Sequence, residues 1–300
     1  MRDLTSLQKQ LNARCALKYF EPMCKHTSFR IGGEAEIMAF PKNTDELADV
    51  LHQAKELGVT PRILGAGTNV LAPDGFLPGV VICLKDHLDG MELLEGDRIR
   101  VMAGVTMTRA AVFAARQGLS GLEFAHGIPG TVGGGVFMNA GAYDGDISAI
   151  LESAVVMGED GSLSERSNAD MRFSYRHSIL EETGEIVISA VFALRKAPTE
   201  QIKEKMRLLM EKRSASQPLE LPSAGSAFKR PVGGYAAALI DQSGLRGYQI
   251  GGAAVSQKHA GFVVNLDQAT ACDVRRLLKS VSDIVFEKTG IRLEPEVRIW

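Results

Sequence analysis

Seven of the nineteen residues from Gly127 to Gly145 are glycine. The stretch reads GIPGTVGGGVFMNAGAYDGD over 127–146, and no other feature of the chain restricts its fold as sharply. Dense glycine means main chain brought close to something, or held in conformations that a Cβ forbids. A flexible linker of this glycine content is filled out with Ser and other polar residues. Here Ile128, Val132, Val136, Phe137 and Met138 are interleaved instead, which predicts a buried, packed segment. Buried main chain needs partners for its N–H groups. Two readings stand at this point. One is a bound dinucleotide, whose pyrophosphate accepts those bonds and whose flat ring lies where no Cβ intrudes. The other is a purely structural glycine-packed turn.

A second glycine turn, LGAGTNVL (64–71), follows a predicted strand. Its G-x-G sets consecutive N–H groups in a turn that can face a phosphate. It lacks the third glycine and the following helix of a Rossmann fingerprint, and a plain strand-exit turn explains it equally well. Upstream, AEIMAFP (35–41) predicts a strand ended by Pro41. NTDELADVLHQAKELG (43–58) predicts an amphipathic helix with Leu47, Val50, Leu51, Ala54 and Leu57 on one face and Gly58 at its end. Strand, helix, strand and glycine loop thus follow one another over 35–71.

Three hundred residues predict two or three domains. A net charge of −2 argues against nucleic acid or an anionic membrane as partner. No apolar run reaches the roughly 20 residues of a membrane helix, and the N-terminus has no apolar h-region. The four cysteines, Cys15, Cys24, Cys83 and Cys272, have no metal-like spacing and read as reduced thiols of a cytoplasmic protein. No metal is expected.

Residues 3–17 read as a short helix capped by Asp3, with Leu4, Leu7 and Leu11 on one face. Hairpins are predicted around Gly96-Asp97 and Asp160-Gly161, a helix over 106–121, and a long strand over 185–197. Pro198 opens a charged helix and a polar exit, a domain boundary by texture. Helices over 234–243 and 270–289 follow, the second with Thr270 and Asp273 spaced as a capping box. YQIGGAAVSQKHAGFVVNL lies between them and reads as strands. IRLEPEVRIW reads as a closing strand, with Leu293, Pro295, Val297 and Ile299 on one face and Glu294, Glu296 and Arg298 on the other.

Three further segments carry candidate chemistry. MRFSYRHS (171–178) groups Tyr175, Arg176 and His177. Arg176 can hold a carboxylate or phosphate bidentately, or simply be a surface arginine. PSAGSAFKRP (222–231) places Ser226 in a glycine-rich turn just before Lys229 and Arg230; local backbone bonding is the ordinary use of such a serine. SQKHAGF (256–262) sets Lys258 and His259 beside glycine, an anion site or a surface loop.

Taken together, HTSFRIGG (26–33), LGAGTNVL (64–71), GIPGTVGGGVFMNAGAYDGDIS (127–148), FSYRHS (173–178), AGSAFKRP (224–231) and LEPEVR (293–298) resemble one family. It is the UDP-N-acetylenolpyruvoylglucosamine reductases, flavoenzymes of bacterial peptidoglycan precursor synthesis. The blocks run in the family's order from residue 26 almost to the end.

The resemblance implies an α+β fold: a two-part FAD-binding region of the vanillyl-alcohol-oxidase (PCMH) type with an inserted α+β substrate domain. On that scheme residues 1–80 form one FAD-binding part, 81–210 with 290–300 the other, and 211–289 the substrate domain. Non-covalent FAD would meet Gly65, Ala66, Gly67, Thr68, Asn69, Val70 and Leu71, then Gly127, Ile128, Pro129, Gly130, Thr131, Gly133, Gly134, Gly141, Ala142 and Tyr143. The catalytic arginine would be Arg176, the proton donor Ser226 and the catalytic glutamate Glu296. Tyr175, Lys229, Arg230 and His259 would bind substrate.

The implied reaction passes a hydride from NADPH through FAD to the terminal carbon of UDP-N-acetylglucosamine enolpyruvate, in a cytoplasmic monomer. Negative charge then grows on the neighbouring carbon and its carboxylate, which Arg176 can stabilise and Ser226 can quench with a proton. Glu296 would repel that charge unless protonated, so it is expected to carry its proton when it acts. Arg230 stands where many members have asparagine, as does Gly261. The 49 residues between Arg176 and Ser226 resemble the shorter subtype, which lacks a tyrosine-bearing loop over the nucleotide. The rivals are a flavin oxidase on the same fold and a non-catalytic nucleotide sensor.

Overall fold

Glu34–Phe40 is a strand, Thr44–Glu56 a helix and Arg62–Leu64 a strand, in the order the apolar pattern predicts. The helix starts where Asn43 accepts the N–H of Glu46 at 2.8 Å, and acidic Asp45 and Glu46 sit at its positive end. It buries Leu47, Val50, Leu51 and Ala54. The chain leaves it through Gly58 at φ +69°, a conformation that costs glycine nothing.

The structure, a computed structural model, describes residues 5–300. The chain divides into two compact units. The first runs up to Phe20 and then takes Glu36–Ala66 and Pro78–Glu211; the second takes Glu21–Ala35, Gly67–Leu77 and Lys212–Trp300. The division therefore falls inside the LGAGTNVL turn, between Ala66 and Gly67.

The first unit holds most of a four-stranded sheet in the order Ala16–Pro22, Glu34–Phe40, Leu77–Cys83, Arg62–Leu64. Arg62–Leu64 and Leu77–Cys83 run parallel, with Arg62 beside Val81. Ile37, Leu47, Val50, Val80 and Ile82 close one core of this unit. A five-stranded antiparallel sheet follows, ordered Leu163–Ser167, Leu151–Met157, Ile186–Ala193, Arg98–Met102, Met91–Leu94. Its second core gathers Ile99, Val101, Val105, Val132, Val136, Ala154 and Phe192. Both predicted hairpins are present, with Gly96, Asp97 and Gly161 at positive φ. The long strand is split: Ile186–Ala193 ends, Leu194 intervenes, and Arg195–Lys196 pairs with Leu119–Ser120.

The second unit is built on an antiparallel sheet ordered Ser223–Ser226, Phe262–Asn265, Ala253–Val255, Gln249–Ile250. The helix Ala271–Thr289 lays Val274, Leu277, Leu278, Val281 and Val285 into its core, where Phe29, Ile31, Leu71, Leu293 and Val297 join them. Val70–Leu71 and Arg298–Ile299 pair in parallel. Among the described residues no helix is long and apolar enough to cross a membrane.

Two elements differ from the sequence expectation. The N-terminal helix is only Ser6–Gln10, capped by a Thr5–Gln8 box; Asp3 lies outside the described residues. Beyond Leu11 the N–H groups of Asn12 and Arg14 donate to Gln53 and Asp49 at 2.8 Å, which draws the chain out of the helix and into the edge strand Ala16–Pro22. The closing strand shrinks to Arg298–Ile299. Of the predicted apolar face, Leu293 and Val297 are buried but Pro295 and Ile299 are exposed. Pro295 has no N–H to give a ladder.

Candidate active site

The candidate residues assemble as two groups, one in each unit. In the first unit the glycine-rich stretch is not wholly a loop. Val132–Phe137 is a short helix, N-capped by Thr131, whose hydroxyl accepts the N–H of Gly134 at 3.3 Å. Its other early N–H groups are also taken: Val132 donates to Val105 at 2.8 Å, Gly133 to Ala103 at 2.9 Å and Gly135 to the Thr131 carbonyl at 2.8 Å. Pyrophosphate is not needed to satisfy these donors, so their burial does not by itself argue for a dinucleotide. The glycines are explained by close approach. A Cβ on Gly133 would stand 2.9 Å from Ala103 Cβ, and one on Gly135 2.8 Å from Met107 Sδ. Gly134 is exposed. Sequence reading missed this helix because three glycines in a row depress helix propensity by about 1 kcal/mol each.

The LGAGTNVL turn meets this stretch through its first glycine. A Cβ on Gly65 would fall 2.4 Å from Thr131 Oγ1, so only glycine allows the approach. Immediately before Gly127, His126 has a buried Nδ1 with no hydrogen-bond partner among the described residues. Burial lowers its pKa, which favours a neutral ring able to donate or accept. A buried polar atom left unsatisfied directly before the Gly127–Thr131 stretch fits a dinucleotide bound there.

Arg176 joins the same group. Ser174 and His177 exchange backbone bonds at 3.2 and 3.3 Å, leaving Tyr175 and Arg176 at the tip of a tight turn. Arg176 has φ 55°, the left-handed region where glycine or asparagine is the usual occupant. Backbone strain of this kind collects at functional positions. Three bonds tie the turn to the glycine stretch. Arg176 donates to the Gly141 carbonyl at 3.2 Å, Asn139 to the Ser174 carbonyl at 3.0 Å, and Ser178 to the Phe137 carbonyl at 2.7 Å. Tyr175 and Tyr143 are exposed, and the Arg176 guanidinium lies 5.2 Å from the Tyr175 ring centre.

In the second unit Ser226 ends the strand Ser223–Ser226. The register slips between Ser223 and Ser226, and Gly225 takes φ +73°. This is a bulge, a device that re-aims the next side chain. Ser226 is half-buried and pairs with Phe262. The next residues are zipped to the chain end. The Ala227 carbonyl accepts the N–H of Glu296 at 2.9 Å, and Lys229 N–H donates to the Glu294 carbonyl at 2.8 Å. Ser226 and Glu296 therefore stand on adjoining segments. Lys229 Nζ is 3.7 Å from Glu294, and the Arg230 guanidinium lies 4.0 Å over the exposed Tyr235 ring.

Gly67 to Leu71 belong to this group. A Cβ on Gly67 would come within 2.0 Å of the His26 carbonyl oxygen. Ser28 N–H donates to the Gly67 carbonyl at 3.1 Å, and Ser28 Oγ donates to the Ser223 carbonyl at 2.6 Å. The HTSFRIGG block is thus a clasp between the glycine turn and the Ser226 strand. Asn69 Nδ2 donates to the Glu296 carbonyl at 3.2 Å. Leu71 is 1% exposed, and its side chain serves the core. His259 Nδ1 accepts the Gly261 N–H at 3.1 Å, which puts the proton of the neutral ring on Nε2; burial lowers its pKa, and its ring meets Phe262 edge-on at 5.0 Å. A Cβ on Gly261 would stand 3.0 Å from that ring, which would have to shift to admit it.

The clasp and the Asn69 bond were not foreseen from the sequence. The sequence placed Ser226 in a glycine-rich turn, and the strand Ser223–Ser226 with its bulge was not foreseen either.

A family profile described as UDP-N-acetylenolpyruvoylglucosamine reductase, C-terminal domain, matches residues 217–300, and one described as FAD binding domain matches 35–166. UDP-N-acetylenolpyruvoylglucosamine reductase from Streptococcus thermophilus (strain ATCC BAA-491 / LMD-9) is 45% identical over 94% of this chain and 92% of its own length. The enzyme of the same name from Streptococcus pneumoniae (strain Hungary19A-6) is 44% identical over 94% and 93%. The crystal structure of the Thermus caldophilus reductase superposes with a TM-score of 0.81 at 35% identity, over 96% of this chain and 99% of that one. Xylooligosaccharide oxidase from Myceliophthora thermophila C1, at 18% identity and TM-score 0.50, covers 65% of this chain and 44% of its own and shares the fold alone.

Proposed function

This chain belongs to the UDP-N-acetylenolpyruvoylglucosamine reductases, FAD-dependent oxidoreductases of peptidoglycan precursor synthesis with the α+β fold of the vanillyl-alcohol-oxidase type, and from that premise we propose how its residues divide the reaction. The substrate is UDP-N-acetylglucosamine enolpyruvate, the reductant NADPH and the product UDP-N-acetylmuramate. Bound FAD supplies a two-electron carrier that accepts a hydride from one partner and gives it to the other.

The main chain of Gly65 to Val70, with Gly127 to Thr131 and Gly141 to Tyr143, would hold the cofactor. Arg176, aimed by its left-handed turn, grips the enolpyruvyl carboxylate and meets the charge that grows there once hydride has added to the terminal carbon. A fixed guanidinium costs no reorganisation at that moment. Ser226 Oγ–H then gives its proton to the neighbouring carbon, and solvent restores it. Serine is a weak acid, but a carbanion is a strong enough base to take the proton. Glu296, on the segment zipped to Ala227, works beside Ser226 in its protonated form. Lys229 and Arg230 hold the diphosphate, and the Arg230–Tyr235 pair extends that surface. The 211–289 region carries the nucleotide end of the substrate. The enzyme works as a cytoplasmic monomer.

The observation that carries this reading is the bulge at Gly225, which sets Ser226 one residue before the backbone bond between Ala227 and Glu296. Ser226→Ala tests it in two separate half-reactions. Bleaching of the flavin by NADPH is expected to stay near the wild-type rate. Recovery of colour on adding the enolpyruvyl substrate is expected to slow at least about 10²-fold. Equal slowing of both halves would make Ser226 a structural residue.

A further inference from the structure

We propose that Asn69 is a positioning residue for Glu296, a role that rests on Glu296 being catalytic. The backbone of Glu296 is held at both its N–H and its carbonyl. Its N–H donates to the Ala227 carbonyl at 2.9 Å, and its carbonyl accepts Asn69 Nδ2 at 3.2 Å. The main chain of Asn69 adds a second tie two residues on, where its carbonyl accepts the Arg298 N–H at 3.0 Å. From there Val70 and Leu71 continue the bracket as a parallel pair with Arg298 and Ile299, and Trp300 N–H donates to the Leu71 carbonyl at 3.1 Å. Asn69 is thus the point where an irregular turn becomes a strand partner of the chain end.

The choice of residue follows from the bond it makes. A carbonyl oxygen needs a neutral donor at short reach from a turn, and a primary amide supplies one. Aspartate would set a carboxylate oxygen against that carbonyl oxygen, and alanine would leave the carbonyl to water. With both ends of the Glu296 backbone fixed, the direction in which its side chain leaves the main chain is fixed too. A displacement of about 1 Å at a reacting group can cost about 10²-fold in rate. One N–H of the Asn69 amide is therefore given to the protein.

The test uses the FAD-loaded enzyme, wild type and Asn69→Ala, with two kinds of readout. In the half-reactions, Asn69→Ala is expected to slow colour recovery by the enolpyruvyl substrate about 10- to 100-fold at saturation, with KM changed less than about threefold. Bleaching by NADPH and the flavin-to-protein ratio are expected to change far less. In amide hydrogen exchange, residues 294–300 are expected to exchange faster in the variant, while the helix Ala271–Thr289 keeps its protection. Loss of flavin with both half-reactions slowed equally would make Asn69 a cofactor ligand and overturn the proposal. So would unchanged exchange over 294–300. Glu296→Gln separates the two layers. If it recovers colour at the wild-type rate, the catalytic reading of Glu296 fails, and the exchange result still decides whether Asn69 holds that segment.

Discussion

At the scale of single residues, the site depends on where a Cβ cannot be. Gly67 combines φ +61° with the His26 carbonyl oxygen 2.0 Å from the place a Cβ would occupy. Gly58 has a similar φ of +69° but nothing within 4 Å. Gly67→Ala is expected to destabilise the protein by about 2–4 kcal/mol, the left-handed cost plus the steric one, and Gly58→Ala by about 1 kcal/mol. Chemical denaturation of the pair checks this; equal losses would mean that the clasp yields at no cost. Residue identities of this kind were legible in the sequence as clustered glycine, but their partners were not. His26, Thr131 and Ala103 lie 41, 66 and 30 positions from Gly67, Gly65 and Gly133 in turn, and no local pattern encodes such distances. The same holds for Ser28 and Asn69, whose bonds run to Ser223 and Glu296. Arg176, by contrast, could be named from its motif, while its left-handed backbone could not.

At the scale of elements, capping explains why the helices were read more accurately than the strands. The helix Ala271–Thr289 begins at the Thr270–Asp273 box visible in the sequence, with Thr270 Oγ1 accepting the Asp273 N–H at 3.0 Å. A second cap was invisible: Asp74 accepts the N–H groups of Ala271 and Cys272 from almost two hundred residues away. Thr270→Ala is expected to cost about 1 kcal/mol and Asp74→Ala at least as much, since it removes a charged acceptor from two donors. Thermal unfolding of the two variants measures the order; a neutral Asp74→Ala would show that water replaces it fully. Short strands fared worse because their pairing is decided by distant chain. The alternation over 292–299 suggested a full strand, yet Arg298–Ile299 forms a strand, against Val70–Leu71, while Pro295 makes a single isolated bridge with Phe228. The helix Val132–Phe137 went unread for the opposite reason. Its propensity is poor, and long-range acceptors at Ala103 and Val105 hold it in place.

At the scale of the whole molecule, the order of motifs carried more information than any one of them. LGAGTNVL alone fits a plain turn, and the boundary between the two compact units runs through it. The first unit gathers the glycine stretch and Arg176; the second gathers Ser226, Glu296 and the clasp from 26–33. Transfer through a bound two-electron carrier is expected to run in two separable steps. Anaerobic stopped-flow on the wild-type protein measures this most directly, following the flavin band after reduction with one equivalent of NADPH. On mixing the bleached enzyme with UDP-N-acetylglucosamine enolpyruvate, the colour is expected to return without oxygen, at a rate that rises with substrate and saturates. Colour that stays lost with the enolpyruvyl nucleotide and returns only when oxygen is admitted would contradict the proposed reaction and favour an oxidase.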